Sequence, residues 1–244
     1  AVMNPSAIAA SIDDVDCVIS LAAITDAASS IEIRDELFEH NKAVTQNALQ
    51  LADDLGSLMI FPSSTSVYGV NDKVVDESSL VFPQSPYAEC KLEEEALVAG
   101  SRVDAVIFRL ATIVGASSGM RFHTAVNRFI FDSLVKGRVD IWATAIDQLR
   151  PYLSLEDFVK LILKFFEDEY KSTLLDSNHQ IFNVISENSS PRSIVRIIET
   201  VLDQSIEINL INSKLMNQLS YEVSGSRLKD LGWNGIYPLE KSIE

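Results

Sequence analysis

Two rhythms of apolar positions alternate along the chain. Continuous apolar runs of strand length fall at residues 17–23, 58–62 and 103–110. Between them the apolar positions take helical spacing. Residues 5–12 read as a short helix. Residues 33–55 place Leu37, Val44, Ala48 and Leu51 at helical intervals and stop at Gly56, and residues 85–98 give another helical stretch. Buried-strand runs alternating with amphipathic helices predict a parallel sheet covered on both faces. Beyond Gly115 the rhythm breaks, with a helix at 125–136 and a strand at 139–142. A further unit follows, helix 155–166 and strand 180–185, and the tail from about residue 190 holds two or three short helices and a strand at 206–211. The expected fold class is α/β, a doubly wound parallel sheet with a smaller interleaved C-terminal lobe. Residues 1–115, rejoined by 154–185, would form the core. Residues 116–153 and 186–244 would form the lobe that covers a ligand.

Composition narrows the class without changing the picture. At 244 residues, 47% hydrophobic and 23% charged, the chain has the balance of a globular protein with one large domain. No apolar run approaches the ~18 residues of a membrane span. The opening Ala1-Val2-Met3-Asn4-Pro5 lacks the basic-then-apolar order of a secretory signal, so the cytoplasm is the expected compartment. Cys17 and Cys90 are too few for a disulfide framework. His40, His123 and His179 share no ligand spacing, so no metal site is expected. The net charge of −15 argues against a nucleic-acid partner, which needs clustered Lys and Arg. Glu93-Glu94-Glu95 and Glu167-Asp168-Glu169 are expected on exposed helix faces.

Chemistry concentrates in two segments. Residues 60–69, Ile-Phe-Pro-Ser-Ser-Thr-Ser-Val-Tyr-Gly, place hydroxyls at the carboxyl end of a buried strand, where open α/β sheets bind ligands. Residues 85–91, Ser-Pro-Tyr-Ala-Glu-Cys-Lys, then open a helix with Ser85 as N-cap and Pro86 at the first position. Tyr87 and Lys91 stand at i and i+4 and share a face. A free phenol, with a pKa of ~10, is a poor base at neutral pH. A nearby ammonium and a helix N-terminus would favour the phenolate. Tyr87 could then take a proton from a substrate hydroxyl while Ser64 stabilises the developing charge. Tyr237 and Lys241 repeat the spacing, but no hydroxyl-bearing strand precedes them, and they read as a surface turn.

With these segments the chain resembles the extended short-chain dehydrogenase/reductases, the NAD-dependent epimerase/dehydratase family acting on nucleotide sugars. Residues 16–23 resemble the family's fourth strand, Asn41 the asparagine of the following helix, and 109–115 the sixth strand and its exit. Residues 120–122 with Val126-Asn127, 150–157, 181–184 and 231–233 extend the likeness through the tail. The resemblance implies a Rossmann-like core and NAD as cofactor, with NADP left open. It implies Ser64, Tyr87 and Lys91 as catalytic residues, with Leu21, Ala22, Ala23, Ser63, Tyr87 and Lys91 at the cofactor. The substrate, a small molecule of the nucleotide-sugar class, would meet Ser64, Thr65, Thr112, Asn127, Arg150 and Arg121. Trp142 and Trp233 are expected in the core of the small lobe. The helices at 33–55 and 85–98 resemble the pair with which family members build a homodimer.

The departures are equally specific. The first glycine of any kind is Gly56, so the family's glycine-rich dinucleotide turn has no counterpart before the 16–23 strand. The chain is therefore expected to be part of a longer product, with residues 17–23 at a sheet edge and the three catalytic residues idle in the chain as given. Thr65-Ser66 stands where 4,6-dehydratases carry Asp-Glu, residues 206–223 lack the Arg-rich Gly-Asp motif, and Thr112 replaces the asparagine frequent in epimerases. A nucleotide-sugar epimerase is the leading expectation. An NAD(P)-dependent reductase or dehydrogenase of another carbonyl compound, and a non-catalytic binding or scaffold protein, are the alternatives.

Overall fold

The computed structural model describes residues 4–12, 15–25, 29–122, 124–175, 180–212, 221–233, 235 and 237–244. His123, His179 and residues 213–220 of the tail lie outside them, as do the side chains of Asp168 and Glu169.

The alternation read from the sequence becomes a parallel four-stranded sheet in the order β1 (Cys17–Ile19), β2 (Leu58–Ser64), β3 (Ala105–Leu110), β4 (Ile181–Val184). Its helices follow the same logic. A first short helix, α1 (Pro5–Ala9), is capped by Asn4, whose side chain accepts a bond from the Ala7 amide. The long helix α2 (Arg34–Leu55) ends where Gly56 adopts the left-handed conformation at φ 60°. Helix α3 (Pro86–Ala99) connects β2 to β3. The edge strand β1 is shorter than the apolar run suggests. Pairing with β2 ends at Ile19 opposite Ile60, and after one more bond from Ser20 to Ile60 the chain turns out, leaving Leu21 69% exposed. Residues 20–23 thus form an exit loop.

Side chains alternate across the sheet, as a pleat requires. Met59, Phe61, Ala105 and Ile107 pack with Ala52 of α2 and Val98 of α3 on one face. Ile60, Val106, Phe108 and Phe182 pack on the other with Phe158, Leu161 and Phe165 of α5 (Leu155–Phe165). Each Leu, Ile, Val, Met or Phe among them contributes ~1.5–3 kcal/mol on burial. Trp233 belongs to this second cluster, not to the small lobe, because α8 (Ser226–Asp230) packs beside β4 and delivers the indole to the sheet. Trp142 is only partly buried.

The remaining elements leave the main sheet. Strand β5 (Thr112–Val114) pairs in parallel with β6 (Arg150–Ser154), which pairs antiparallel with β7 (Glu187–Ser189). Strands β8 (Arg138–Trp142) and β9 (Glu207–Ile211) form a separate parallel pair. Helices α4 (Ala125–Lys136), α7 (Pro191–Leu202) and α9 (Leu239–Ile243) close a third cluster around Val126, Val139, Ile141, Ile194, Ile198 and Leu239. Helix α9 occupies the C-terminal stretch read as a turn. Strand β7 had no counterpart in the sequence pattern, and of helix α6 (Asp168–Leu175) only the acidic start was expected to be helical. Among the described residues no helix is long and apolar enough to cross a membrane.

Candidate active site

Parallel pairing puts the carboxyl ends of β1, β2 and β3 on one edge, with Ser64 directly opposite Leu110. Ser64 is the last residue of β2 and caps the 3₁₀ turn Thr65–Tyr68, accepting from the Ser66 amide at 3.2 Å and the Ser66 hydroxyl at 2.9 Å. Gly69 ends that turn at φ 67°, where a side chain would strike the Phe82 carbonyl. With both Ser66 groups donating to it, Ser64 keeps its own proton to give. Its hydroxyl bears on the Tyr87 phenol and favours the phenolate.

Helix α3 begins as the sequence anticipates. Ser85 accepts from the Ala88 amide at 3.2 Å and Pro86 fills the first position, so Tyr87 sits in the positive first turn. Burial pushes the Tyr87 phenol up to about 12. The Ser64 hydroxyl and the Arg121 charge pull it down, while Glu94 and Cys90 add to the rise.

One turn on, the expected exposed acidic run divides. Only Glu93 faces outward, pairing with Lys42 of α2 at 2.9 Å. Glu94 and Glu95 are 1% and 3% exposed. The reason is helical: they stand three and four residues after Lys91 and share its inward face. The Lys91 ammonium lies 3.2 Å from Glu94 Oε2 and 4.7 Å above the Phe61 ring. Glu94 Oε1 accepts from the Thr45 hydroxyl of α2 at 2.6 Å. Glu95 takes a two-pronged bond from Arg109 of β3, at 2.9 and 2.7 Å, and a third from the Ser63 hydroxyl at 2.5 Å. Ser63, expected at the cofactor, thus commits its hydroxyl to Glu95. Arg109 continues to the Tyr68 phenol at 3.0 Å, which donates to Asn183 of β4 at 2.8 Å.

The opposite lip is the exit of β1. Leu21 and Ala22 are exposed and Ala23 is partly buried. Asn41 of α2 clips the following residue, accepting from the Ile24 amide at 2.8 Å and donating to its carbonyl at 3.0 Å. Arg121 hydrogen-bonds the Thr25 hydroxyl, tying this exit to the segment before α4. Asn127 is buried and holds the Arg121 carbonyl at 3.1 Å. Thr65 is buried, with its hydroxyl 3.4 Å from both the Leu110 carbonyl and the Tyr221 phenol. Arg150 opens β6, and its charge acts on the Tyr152 and Tyr221 phenols, both raised by burial. Thr112 is exposed at the start of β5. The sequence reading missed Glu94, Glu95 and Tyr221. Spacing from Lys91 was a signal for the two glutamates; nothing local marks Tyr221.

The NAD dependent epimerase/dehydratase family model matches residues 1–204. The chain belongs to this family. Within the NAD-dependent epimerase/dehydratases, its similarities are distant. It is 26% identical over 213 residues to the uncharacterized Schizosaccharomyces pombe protein PB2B2.11, covering 74% of this chain and 58% of that protein. The chain therefore spans a little over half the length of that curated relative. Among solved structures, UDP-glucuronic acid 4-epimerase from Bacillus cereus, with UDP-glucuronic acid and NAD, superposes with a TM-score of 0.80 at 22% identity. That match covers 99% of this chain and 76% of the epimerase. MoeE5 with UDP-glucose and NAD gives 0.82 at 20% identity, covering 97% and 79%. RMD from Pseudomonas aeruginosa, with NADPH, gives 0.80 at 19%, covering 99% and 84%. These likenesses establish the fold, a Rossmann-like α/β architecture built on a parallel sheet.

Proposed function

We propose that this chain supplies the proton-transfer machinery of an NAD-dependent epimerase of a nucleotide sugar. The observation that carries the reading is Tyr87 in the positive first turn of α3, with Ser64 at the end of β2 bearing on its phenol and the Ser64 proton left free by two bonds from Ser66. Tyr87 would accept the proton of a sugar hydroxyl, and Ser64 would hold the same oxygen as it becomes a carbonyl.

The residues present fit a nicotinamide cofactor. An exposed apolar lip at Leu21 and Ala22 suits a flat ring, and Lys91 brings an ammonium, ion-paired with Glu94 at 3.2 Å, whose donors suit a ribose hydroxyl. Bound there, NAD would accept a hydride from the sugar carbon and return it. Leu21, Ala22, Ala23, the Ser63 main chain, Tyr87 and Lys91 would line the cofactor. Ser64, Thr65, Thr112, Asn127, Arg121 and Arg150 would face the substrate, Arg150 offering its guanidinium to a phosphate. In this reading residues 1–115 and 154–185 form the cofactor core and 116–153 with 186–244 the covering lobe.

The test is product analysis with NAD and UDP-glucuronic acid or UDP-glucose. The epimerase reading expects isomerised sugar with no net NADH. Stoichiometric NADH would instead assign a dehydrogenase, and absence of turnover with every UDP-sugar offered would favour a binding protein. A homodimer through the outer faces of α2 and α3, and a cytoplasmic location, belong to the same proposal. Light scattering after size exclusion checks the first, with a clean monomer against it.

A further inference from the structure

Lys91 does not stand alone beside Tyr87. Its ammonium is pinned between the Glu94 carboxylate at 3.2 Å and the Phe61 ring at 4.7 Å, and the two charged side chains are 4% and 1% exposed. The other Glu94 oxygen is fixed from α2 by the Thr45 hydroxyl at 2.6 Å. Two charges this deeply buried persist only when matched and hydrogen-bonded. We propose that Glu94 is a positioning residue for the Ser64–Tyr87–Lys91 site: from the α2–α3 seam it holds Lys91 in a charge-balanced pair and so governs how readily Tyr87 releases its proton.

This rests on the reading of Tyr87 as the proton-transfer group. An unmatched ammonium one turn from the phenol would favour phenolate; a carboxylate bonded to that ammonium cancels most of its influence and adds repulsion of its own. The charges bearing on Tyr87 agree. Burial raises the phenol most, Glu94 and Cys90 raise it further, and Arg121 lowers it. The groups facing the cluster are Cys90 and Lys91 on α3, Ser64 and Phe61 on β2, Thr45 on α2, and Arg121 before α4. The rim pairs Lys42–Glu93 and Arg34–Glu89 are exposed and mutually matched.

The test follows the Tyr87 phenol by NMR of ¹³C-labelled tyrosine, its ring signal assigned by Tyr87→Phe, as pH is raised from neutrality. In Glu94→Gln the Thr45 bond is kept and the charge is lost. The Tyr87 midpoint should fall by about one pH unit or more. Thr45→Val removes a neutral donor and keeps the Glu94 charge, and should leave the midpoint within a few tenths. If Glu94→Gln does not fold, Lys91→Met/Glu94→Leu replaces the pair with apolar groups of similar volume. It should also lower the midpoint, because Glu94 is the member whose charge raises Tyr87. An unmoved midpoint, or an equal shift in Thr45→Val, overturns the assignment. The readout needs no turnover. A shifted midpoint with Tyr87→Phe still active would sink the proton-transfer reading alone; an unmoved midpoint with Tyr87 essential would sink the Glu94 assignment alone.

Discussion

Glu94 and Glu95 are neighbours on one helix, both buried, each facing a cation, yet they anchor different parts of the molecule. Glu95 receives two bonds from a guanidinium and one from Ser63, and its partner Arg109 continues through Tyr68 to Asn183. That chain stitches α3 to β2, β3 and β4. Burial alone would push the Arg109 charge down, but the Glu95 bonds hold its proton more firmly than usual. Glu94 sits at a softer place. Its partners are an ammonium, a hydroxyl and the Cys90 thiol at 3.9 Å, and Tyr87 lies within reach of its charge. The difference teaches that a single residue step along a helix separates a structural clamp from an adjustable site, because a guanidinium cannot shed its proton and an ammonium or phenol can.

The clamp should therefore break hardest. Glu95→Gln leaves Arg109 buried without its carboxylate and should cost about 3–5 kcal/mol of unfolding free energy in urea titrations, with little change across neutral and mildly alkaline pH. Glu94→Gln should cost about 1–3 kcal/mol at neutral pH, and less as pH rises, since a buried ammonium left alone can neutralise. Equal costs with equal pH dependence would erase the distinction. Tyr68→Phe removes one acceptor from Arg109 and one donor to Asn183 and should cost about 1–2 kcal/mol, again on the clamp side.

A further effect lies at alkaline pH. Cys90 is pushed up from 9.0 to about 12, mainly by burial, and Tyr87 from 10.0 to about 12 for the same reason first. Unfolded, these groups release protons at lower pH than folded, so the native state holds more protons in that window. Stability is complete below about pH 9 and declines as pH climbs toward 12. Melting temperatures over this range should fall progressively, and Cys90→Ala should make the decline shallower.

Local signals made most of this legible. The Ser85 cap, Pro86 and the four-residue step from Tyr87 to Lys91 all act within one helical turn, so sequence alone placed them, and Gly56 stopped α2 where expected. What was hidden depends on partners far along the chain. Arg109 is fourteen residues from Glu95 and Thr45 forty-nine from Glu94, so a run of three glutamates read as solvated although two of them face inward. The shortness of β1 was likewise invisible, because the chain turns away after Ile19 although β2 runs on to Ser64. Trp233 reads as a core residue from composition, but which core depends on where α8 docks.

The central claim is that Tyr87 transfers the proton. Its most direct measurement is the single-turnover rate of cofactor reduction with a UDP-sugar, comparing Tyr87→Phe with the unmodified protein at equal melting temperature. The account predicts a loss of about 10²–10⁴-fold in the variant. A variant that reduces the cofactor as fast as the parent would contradict it.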